Sequence, residues 1–105
     1  MAQAARPLRL YNPIVEYTLS EHARAALSER GISLAALEAV LREPQQRFQG
    51  SGELWVYQSL EHAPDGRSYL LRLLLDEHGA SPLVVTAYRS SKVSKYWRED
   101  ADHIR

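Results

Sequence analysis

Cysteine is absent from this chain of 105 residues. A disulfide framework, a thiolate metal site and a thiol nucleophile are therefore excluded, and we expect a cytoplasmic protein. No apolar run approaches the roughly 20 residues that span a bilayer, so no membrane association is expected. An excess of one charge is also lacking, because 13 basic residues balance 13 acidic ones. Any binding of nucleic acid must therefore come from a local cluster of charge.

Several motifs of catalysis and metal binding are missing as well. The chain has no glycine-rich phosphate loop, no Gly-x-Ser-x-Gly turn and no zinc-ligand spacing. His62, His78 and His103 lie in predicted loops or in the tail, and none has the i, i+4 partner of a helical metal site. We therefore expect no metal and no other cofactor.

Positive charge is nevertheless concentrated near the C-terminus. The stretch from Tyr88 to Arg98 holds four cations and three aromatic residues, whereas the chain has 13 cations in all. Clustered cations with interleaved aromatics suit a phosphate backbone and a stacked base. An ordinary amphipathic last helix shows the same pattern, so the sequence leaves both interpretations open.

The N-terminal half predicts two helices joined by a short loop. Residues 1–17 form an N-terminal extension with a candidate short strand from Ile14 to Tyr17, and residues 18–105 form a single domain. Thr18 and the glutamate three residues later have the spacing of a capping box, which predicts a helix that begins at Thr18. Gly31 ends this helix, Ser33 caps a second one, and Pro44 ends the second helix at the preceding residue.

The C-terminal half changes to the two-residue period of strands. Three strands are predicted, with an edge strand at 47–49 and a short last helix from Ser91; the strands are 53–60, 68–75 and 83–89. In the third strand, simple alternation places Val85 and Ala87 on one face and Val84 and Tyr88 on the other. The expected fold is α+β, with the helical hairpin packed on a three- to four-stranded antiparallel sheet.

Two isolated polar residues are candidates for chemistry. His22 lies at the border of the apolar stripe of the first helix, where an imidazole is either packed structurally or serves as a general acid–base. Arg72 is the only charge in the most apolar strand. Because arginine is seldom buried without a partner, it either pairs with an acid across the sheet or points at a ligand.

The basic cluster offers a phosphate site. Arg89 ends the third strand, Lys92 lies beside it, and backbone N–H groups near Ser91 begin the last helix. Tyr88 is placed to stack on a base, and Lys95 projects from the last helix. The competing interpretation is a solvated helix face opposite a packed one.

Four stretches together resemble a known group. They are Leu19-Ser20-Glu21-His22-Ala23, Ser28-Glu29-Arg30-Gly31-Ile32-Ser33, Pro44 and Val84-Val85-Thr86-Ala87-Tyr88. They resemble a small bacterial family of unknown function that is similar to the BrnT toxins of the RelE/ParE superfamily. Thr86-Ala87-Tyr88-Arg89, followed by Lys92, Lys95 and Tyr96, is similar in kind to the last-strand motif of those toxins.

The resemblance implies a RelE-like fold and a metal-independent ribonuclease that acts on RNA phosphodiesters. Its implied partners are RNA or the ribosome and a cognate antitoxin. His22 and Arg89 would be catalytic, and the remaining residues would bind substrate: Arg30, Arg72, Tyr88, Lys92 and Lys95. The alternative is a non-catalytic module that binds protein or nucleic acid, with a homodimer built on Tyr96 and Trp97 as one form of it.

Overall fold

A computed structural model of the chain describes residues 16–99. The elements are β1 (Thr18–Leu19), α1 (Glu21–Arg30), α2 (Leu34–Arg42), β2 (Gln46–Gln49), β3 (Trp55–His62), β4 (Ser68–Asp76), β5 (Leu83–Ser90) and α3 (Val93–Tyr96). Most of the predicted extension, including the start of the candidate strand at Ile14, lies outside the described residues. No helix within 16–99 is long and apolar enough to cross a bilayer.

The sheet is larger than the sequence predicted and is not purely antiparallel. Its strand order is β1-β5-β4-β3-β2, so the expected apolar strand β4 is central. Strands β2 to β5 pair antiparallel with their neighbours, but β1 pairs parallel with β5. The prediction of three or four antiparallel strands was therefore wrong. A two-residue strand is too short to show a period, so β1 left no signal.

The first helix begins two residues later than predicted. Thr18 lies in β1, where its backbone N–H donates to Pro82 O over 2.9 Å. Ser20 is the N-cap, and its Oγ accepts from the backbone N–H of Ala23 over 2.9 Å. The capping-box assignment failed because Thr18 and Ser20 are both good caps, and only pairing with β5 decides between them.

The predicted helix ends are confirmed. Gly31 adopts a left-handed φ of 65° and closes α1, as the absence of a Cβ allows. Ser33 caps α2 by accepting from the backbone N–H of Ala36 over 3.0 Å. The helix ends at Arg42, with Glu43 as C-cap before Pro44. Two short helices therefore fold back on each other and lie together on the sheet.

One face of the sheet, here called the helical face, packs against α1 and α2. Its core contains Leu27 and Leu37 from the helices, and Tyr57, Leu71 and Leu73 from the strands. Burying side chains of this size gives about 1.5–3 kcal/mol each, so this layer supplies most of the hydrophobic stabilisation. The opposite face, here called the C-terminal face, is covered by residues 92–98, which include α3.

Strand β5 carries a bulge that the sequence did not reveal. The pairing with β4 shifts between Leu74 and Leu75, so that Thr86 and Val84 are their partners and Val85 is the extra residue. Val84 and Ala87 consequently both belong to the core of the helical face. Simple alternation had put them on opposite faces. An inserted residue reverses the alternation of all residues beyond it.

Candidate functional site

Arg72 lies in the middle of the central strand on the C-terminal face. The side chain is buried, with only 7% exposure. Its Nε donates to Gln58 Oε1 over 2.8 Å, and its Nη1 donates to the hydroxyl of Tyr88 over 2.8 Å. The guanidinium carbon lies 4.1 Å from the centroid of the Tyr96 ring. Among residues 16–99, no carboxylate forms a salt bridge with it.

The sheet register brings four polar side chains into one row across four strands. Gln46 of β2 is paired with Gln58 of β3, Gln58 with Arg72 of β4, and Arg72 with Tyr88 of β5. Here these four residues are called the polar row. Gln46 and Gln58 are both completely buried. The Gln58 amide donates to Gln46 Oε1 over 2.7 Å, so hydrogen bonds connect the row from β2 to β5.

The polar row also holds the C-terminal segment in place. Gln58 Nε2 donates to the carbonyl of Tyr96 over 3.0 Å. Gln46 donates to the carbonyl of Arg98 and accepts from its backbone N–H over 3.0 Å. These bonds satisfy backbone groups that the four-residue α3 leaves unpaired. Residues 96–98 are thereby fixed across the sheet and form a wall beside Arg72.

A cavity of about 380 Å³ opens between this wall and the sheet, and is here called the C-terminal cavity. Its lining residues are Phe48, Gly50, Ser51, Leu54, Val56, Arg72, Leu74, Tyr88, Lys95, Tyr96 and Arg98. Three of these are cations and none is an acid. Lys95 and Arg98 are exposed at the rim, whereas Arg72 is buried at the floor. The lining of the cavity therefore concentrates positively charged side chains.

The donors at the floor suit an oxyanion. A guanidinium has five N–H donors, and those of Arg72 are only partly used by Gln58 and Tyr88. The Tyr88 hydroxyl accepts from Arg72, which leaves its own hydrogen to donate. A buried cation beside a hydroxyl donor is the arrangement that binds phosphate or carboxylate oxygens strongly. Three aromatic rings, those of Phe48, Tyr88 and Tyr96, and three aliphatic side chains also line the cavity.

The predicted residues do not all come to this cavity. Arg72, Tyr88 and Lys95 line it together. Arg89 lies on the helical face, where its Nε pairs with Glu61 over 2.7 Å and its Nη1 reaches the carbonyl of Gly31 at 3.4 Å. Arg30 is also on that face and donates to the carbonyl of Ala87 over 2.8 Å. The two groups of cations are thus separated by the thickness of the sheet.

His22 and Lys92 lie away from the cavity. His22 is exposed on the first turn of α1, about 12 Å along the helix axis from Arg30 at about 1.5 Å per residue. Lys92 is exposed at the start of α3, where its backbone N–H donates to Ser90 Oγ over 3.0 Å. The structure does not bring His22 to Arg72 or Tyr88, and His22 is on the other side of the sheet from the C-terminal cavity.

A larger cavity, of about 560 Å³, lies at the end of the helical face. It is lined by Glu61, His62, Ala63, Pro64, Tyr69 and Arg89. Its one cation, Arg89, already pairs with Glu61 over 2.7 Å. We therefore regard the smaller C-terminal cavity as the better anion site, because an anion would not have to displace a carboxylate there.

A third polar cluster lies near the β2 edge of the helical face. Tyr57 donates a short hydrogen bond to Glu77, and Arg47 pairs with Glu77 over 2.9 Å. Burial raises the pKa of Tyr57, and the hydrogen bond to Glu77 raises it further. The guanidinium of Arg47 lies 4.1 Å from the ring centroid of Trp55. This cluster ties the loop after β4 to the sheet.

Sequence reasoning missed Gln46, Gln58, Phe48 and Arg98 as site residues. A weak signal was present, since Gln58 directly follows an apolar and aromatic run, Trp55 to Tyr57. Its alignment with Arg72 depends on the lengths of the hairpin loops, which sequence patterns do not fix. Within residues 16–99, no cluster of three or more potential metal ligands is present.

Comparison with known proteins adds no relative. No protein-family model, curated protein or solved structure matches this chain. The resemblance to BrnT-type toxins accordingly stays a prediction carried by the four quoted stretches.

Proposed function

We propose that this protein binds single-stranded RNA through the C-terminal cavity, with one phosphate on Arg72 and Tyr88. The observation that carries the proposal is the buried Arg72, held by an amide and a phenol and by no carboxylate of the described chain. A buried charge without an opposite partner is costly, and an anionic ligand would offset that cost.

The surroundings of Arg72 favour a nucleotide over a small inorganic anion. The cavity volume of about 380 Å³ is within the range of small-molecule sites, roughly 300–1,000 Å³. Lys95 and Arg98 at the rim suit the neighbouring phosphates of a strand. Tyr88 offers a ring surface for a base, and stacking of this kind tolerates any sequence. The rings of Tyr96 and Phe48 each carry a guanidinium on one face already, from Arg72 at 4.1 Å and from Arg98 at 4.5 Å. The resemblance to RNA-directed toxins favours RNA among nucleic acids.

Metal-independent cleavage of that RNA is the second candidate function. It is favoured by the Tyr88 hydroxyl beside Arg72, since two donors on one phosphate would stabilise the charge that develops in transesterification. In this reaction the 2′-oxygen attacks phosphorus, the bond to the 5′-oxygen breaks, and the 2′-proton ends on the leaving oxygen. His22 is too far away on the helical face to move that proton.

Binding is tested by titrating a short labelled single-stranded RNA with the full chain. We expect Arg72→Met to weaken binding about tenfold or more, because it removes a charge-assisted contact. Arg24→Met is the matched control, since Arg24 is exposed on α1. Equal affinities for wild type and Arg72→Met, with both proteins folded, would contradict the proposal.

Cleavage is tested separately with the same RNA in the presence of a chelator. The second candidate predicts fragments that end in 2′,3′-cyclic phosphate for wild type and His22→Ala, and none for Arg72→Met. Induced expression of wild type or His22→Ala should arrest growth, and expression of Arg72→Met should not. Tight binding without any fragments would leave the protein an RNA-binding module and would exclude this cleavage.

A further inference from the structure

We propose that Gln58 is a positioning residue that holds Arg72 in place while leaving its charge available to an incoming anion. The inference rests on the proposed function of the C-terminal cavity and assigns a role to a residue outside the cavity lining. Gln58 is completely buried on β3, directly opposite Arg72 in the sheet.

The hydrogen bonds of Gln58 fix both its neighbours. Its Oε1 accepts from Arg72 Nε over 2.8 Å, which sets the plane of the guanidinium. Its Nε2 donates to the carbonyl of Tyr96 over 3.0 Å. The Tyr96 ring in turn lies 4.1 Å from the guanidinium carbon. One side chain therefore locates the cation and the ring that covers it.

The chemical identity of Gln58 matters because it is neutral. Elsewhere in this sheet, arginines are held by carboxylates: Arg47 by Glu77 and Arg89 by Glu61. A carboxylate at position 58 would satisfy Arg72 Nε equally well and would also cancel its charge. An amide supplies the acceptor without the charge, so the full positive charge faces the cavity.

The NH2 group of Gln58 also has a structural role that a glutamate could not take over. The Nε2 group donates to two oxygens, Gln46 Oε1 at 2.7 Å and Tyr96 O at 3.0 Å. A carboxylate has no hydrogen to donate there. The comparison of variants must therefore separate loss of these donors from loss of charge, and two substitutions at the same position do so.

The test measures RNA affinity against salt concentration for wild type, Gln58→Met and Gln58→Glu. Each phosphate contact on a single strand contributes a slope of about 0.7 in log K against log salt. Both substitutions lose the donors to the C-terminal segment, but only Gln58→Glu neutralises Arg72. We expect Gln58→Glu to lower the slope by about 0.7 and the affinity about tenfold or more. Gln58→Met should keep the wild-type slope with a smaller loss of affinity.

A second measurement covers the case in which Gln58→Glu does not fold. The Arg72 Nε–H resonance, assigned by its loss in Arg72→Met, should exchange slowly with solvent in wild type and rapidly in Gln58→Met. Unchanged exchange in Gln58→Met would overturn the positioning role.

The outcomes distinguish this inference from the proposed function. If wild type does not bind RNA, the proposed function fails and the inference fails with it. If wild type binds, but Gln58→Glu keeps its slope and affinity, the inference alone is overturned. Identical slopes and affinities for the Met and Glu variants would also overturn it, because the amide would then be only structural.

Discussion

The arginines on the two faces of the sheet have different kinds of partner. On the helical face, Arg47 and Arg89 each pair with a glutamate, over 2.9 Å and 2.7 Å. On the C-terminal face, Arg72 is more deeply buried but is held by Gln58 and Tyr88. The partly exposed Arg47 and Arg89 are each neutralised by a carboxylate, whereas the buried Arg72 has only neutral partners among the described residues. Under the proposed function, this difference leaves the charge of Arg72 available to a ligand on the C-terminal face, whereas the arginines of the helical face contribute to stability.

The largest expected effect comes from neighbouring leucines that face opposite sides of β4. Leu73 is fully buried in the helical core, whereas Leu74 is half-buried and lines the C-terminal cavity. Leu73→Ala should lower the free energy of unfolding by about 2–5 kcal/mol, through lost transfer energy and a residual cavity. Leu74→Ala should cost clearly less. Urea denaturation of the two variants measures the difference, and equal losses would contradict the division of roles between the faces.

The next effect concerns the attachment of the C-terminal segment. Gln46→Leu leaves the backbone N–H and carbonyl of Arg98 without their side-chain partner. We expect a loss of about 1–3 kcal/mol in unfolding free energy, the usual cost of orphaned buried polar groups. Limited proteolysis should cut after residue 90 earlier than in wild type. Gln49→Leu, at an exposed position of the same strand, is the control, and the same cleavage pattern in both variants would argue against the attachment.

A smaller effect is expected at the third polar cluster. Tyr57→Phe removes the hydroxyl that donates to Glu77, but leaves the ring in the core. The expected loss is about 0.5–1.5 kcal/mol in unfolding free energy. RNA affinity should be unchanged, since the cluster lies on the helical face. A large fall in affinity from this variant, measured in the same RNA titration, would break the assignment of binding to the other face.

Arg89 provides a direct test against Arg72. Its ion pair with Glu61 is partly exposed, so Arg89→Ala should change the unfolding free energy by about 0–1 kcal/mol. We expect RNA affinity to stay near wild type, in contrast with Arg72→Met. A tenfold loss with Arg89→Ala would instead favour the larger cavity as the anion site. That outcome would restore the role that the sequence predicted for Arg89.

The smallest effect is a pH dependence in the exposed loop after β4. The hydrogen bond to Asp76 raises the pKa of His78, with Glu53 adding to the rise. Its stabilising contribution is therefore present below the ordinary histidine pKa, about 6.5, and is lost as the pH rises through the higher folded pKa. Backbone and side-chain hydrogen bonds from His78 lower the pKa of Asp76, so that contribution disappears only as the pH falls through the lowered value.

NMR titration of the His78 ring checks this sign. Asp76→Asn should move the His78 pKa back toward its ordinary value, and Asp65→Asn in the other hairpin turn should not. Added salt should reduce the shift, because the pair is exposed. A His78 pKa that is unaffected by Asp76→Asn would show that the contact does not persist in solution.

Local sequence signals predicted the parts of the fold that local physics determines. Gly31, Ser33 and Pro44 marked helix ends correctly because capping and positive φ are properties of a few adjacent residues. The apolar run around Arg72 identified the central strand. Strand β1 and the bulge at Val85 escaped because both arise from pairing between distant segments.

The sequence anticipated only part of the lining of the candidate site, because the lining too depends on pairing between distant segments. Arg72, Tyr88 and Lys95 were singled out by residue type, and they do share a cavity. Arg89 was grouped with them because charge clustering along a chain says nothing about the side of a sheet. His22 was chosen separately, as an imidazole at the border of the first helix, and its distance from the basic cluster was not visible in the sequence. Gln58 was missed because a neutral amide in a strand gives only a weak sequence signal. Its importance comes from lying opposite Arg72, which only the register reveals.

The bulge in β5 reverses which residues of that strand face the helices: even-numbered ones before it and odd-numbered ones after it. Residues 84 and 88 are both even-numbered, yet Val84 faces the helices and Tyr88 faces Arg72. In a regular strand that kept Val84 opposite Leu75, Ala87 would lie opposite Arg72, and Tyr88 would turn toward the helices. The phenol would then be lost from the polar row, with only a methyl group in its place. The bulge at Val85 thus decides whether Arg72 has a hydroxyl or an alanine side chain as its neighbour on β5.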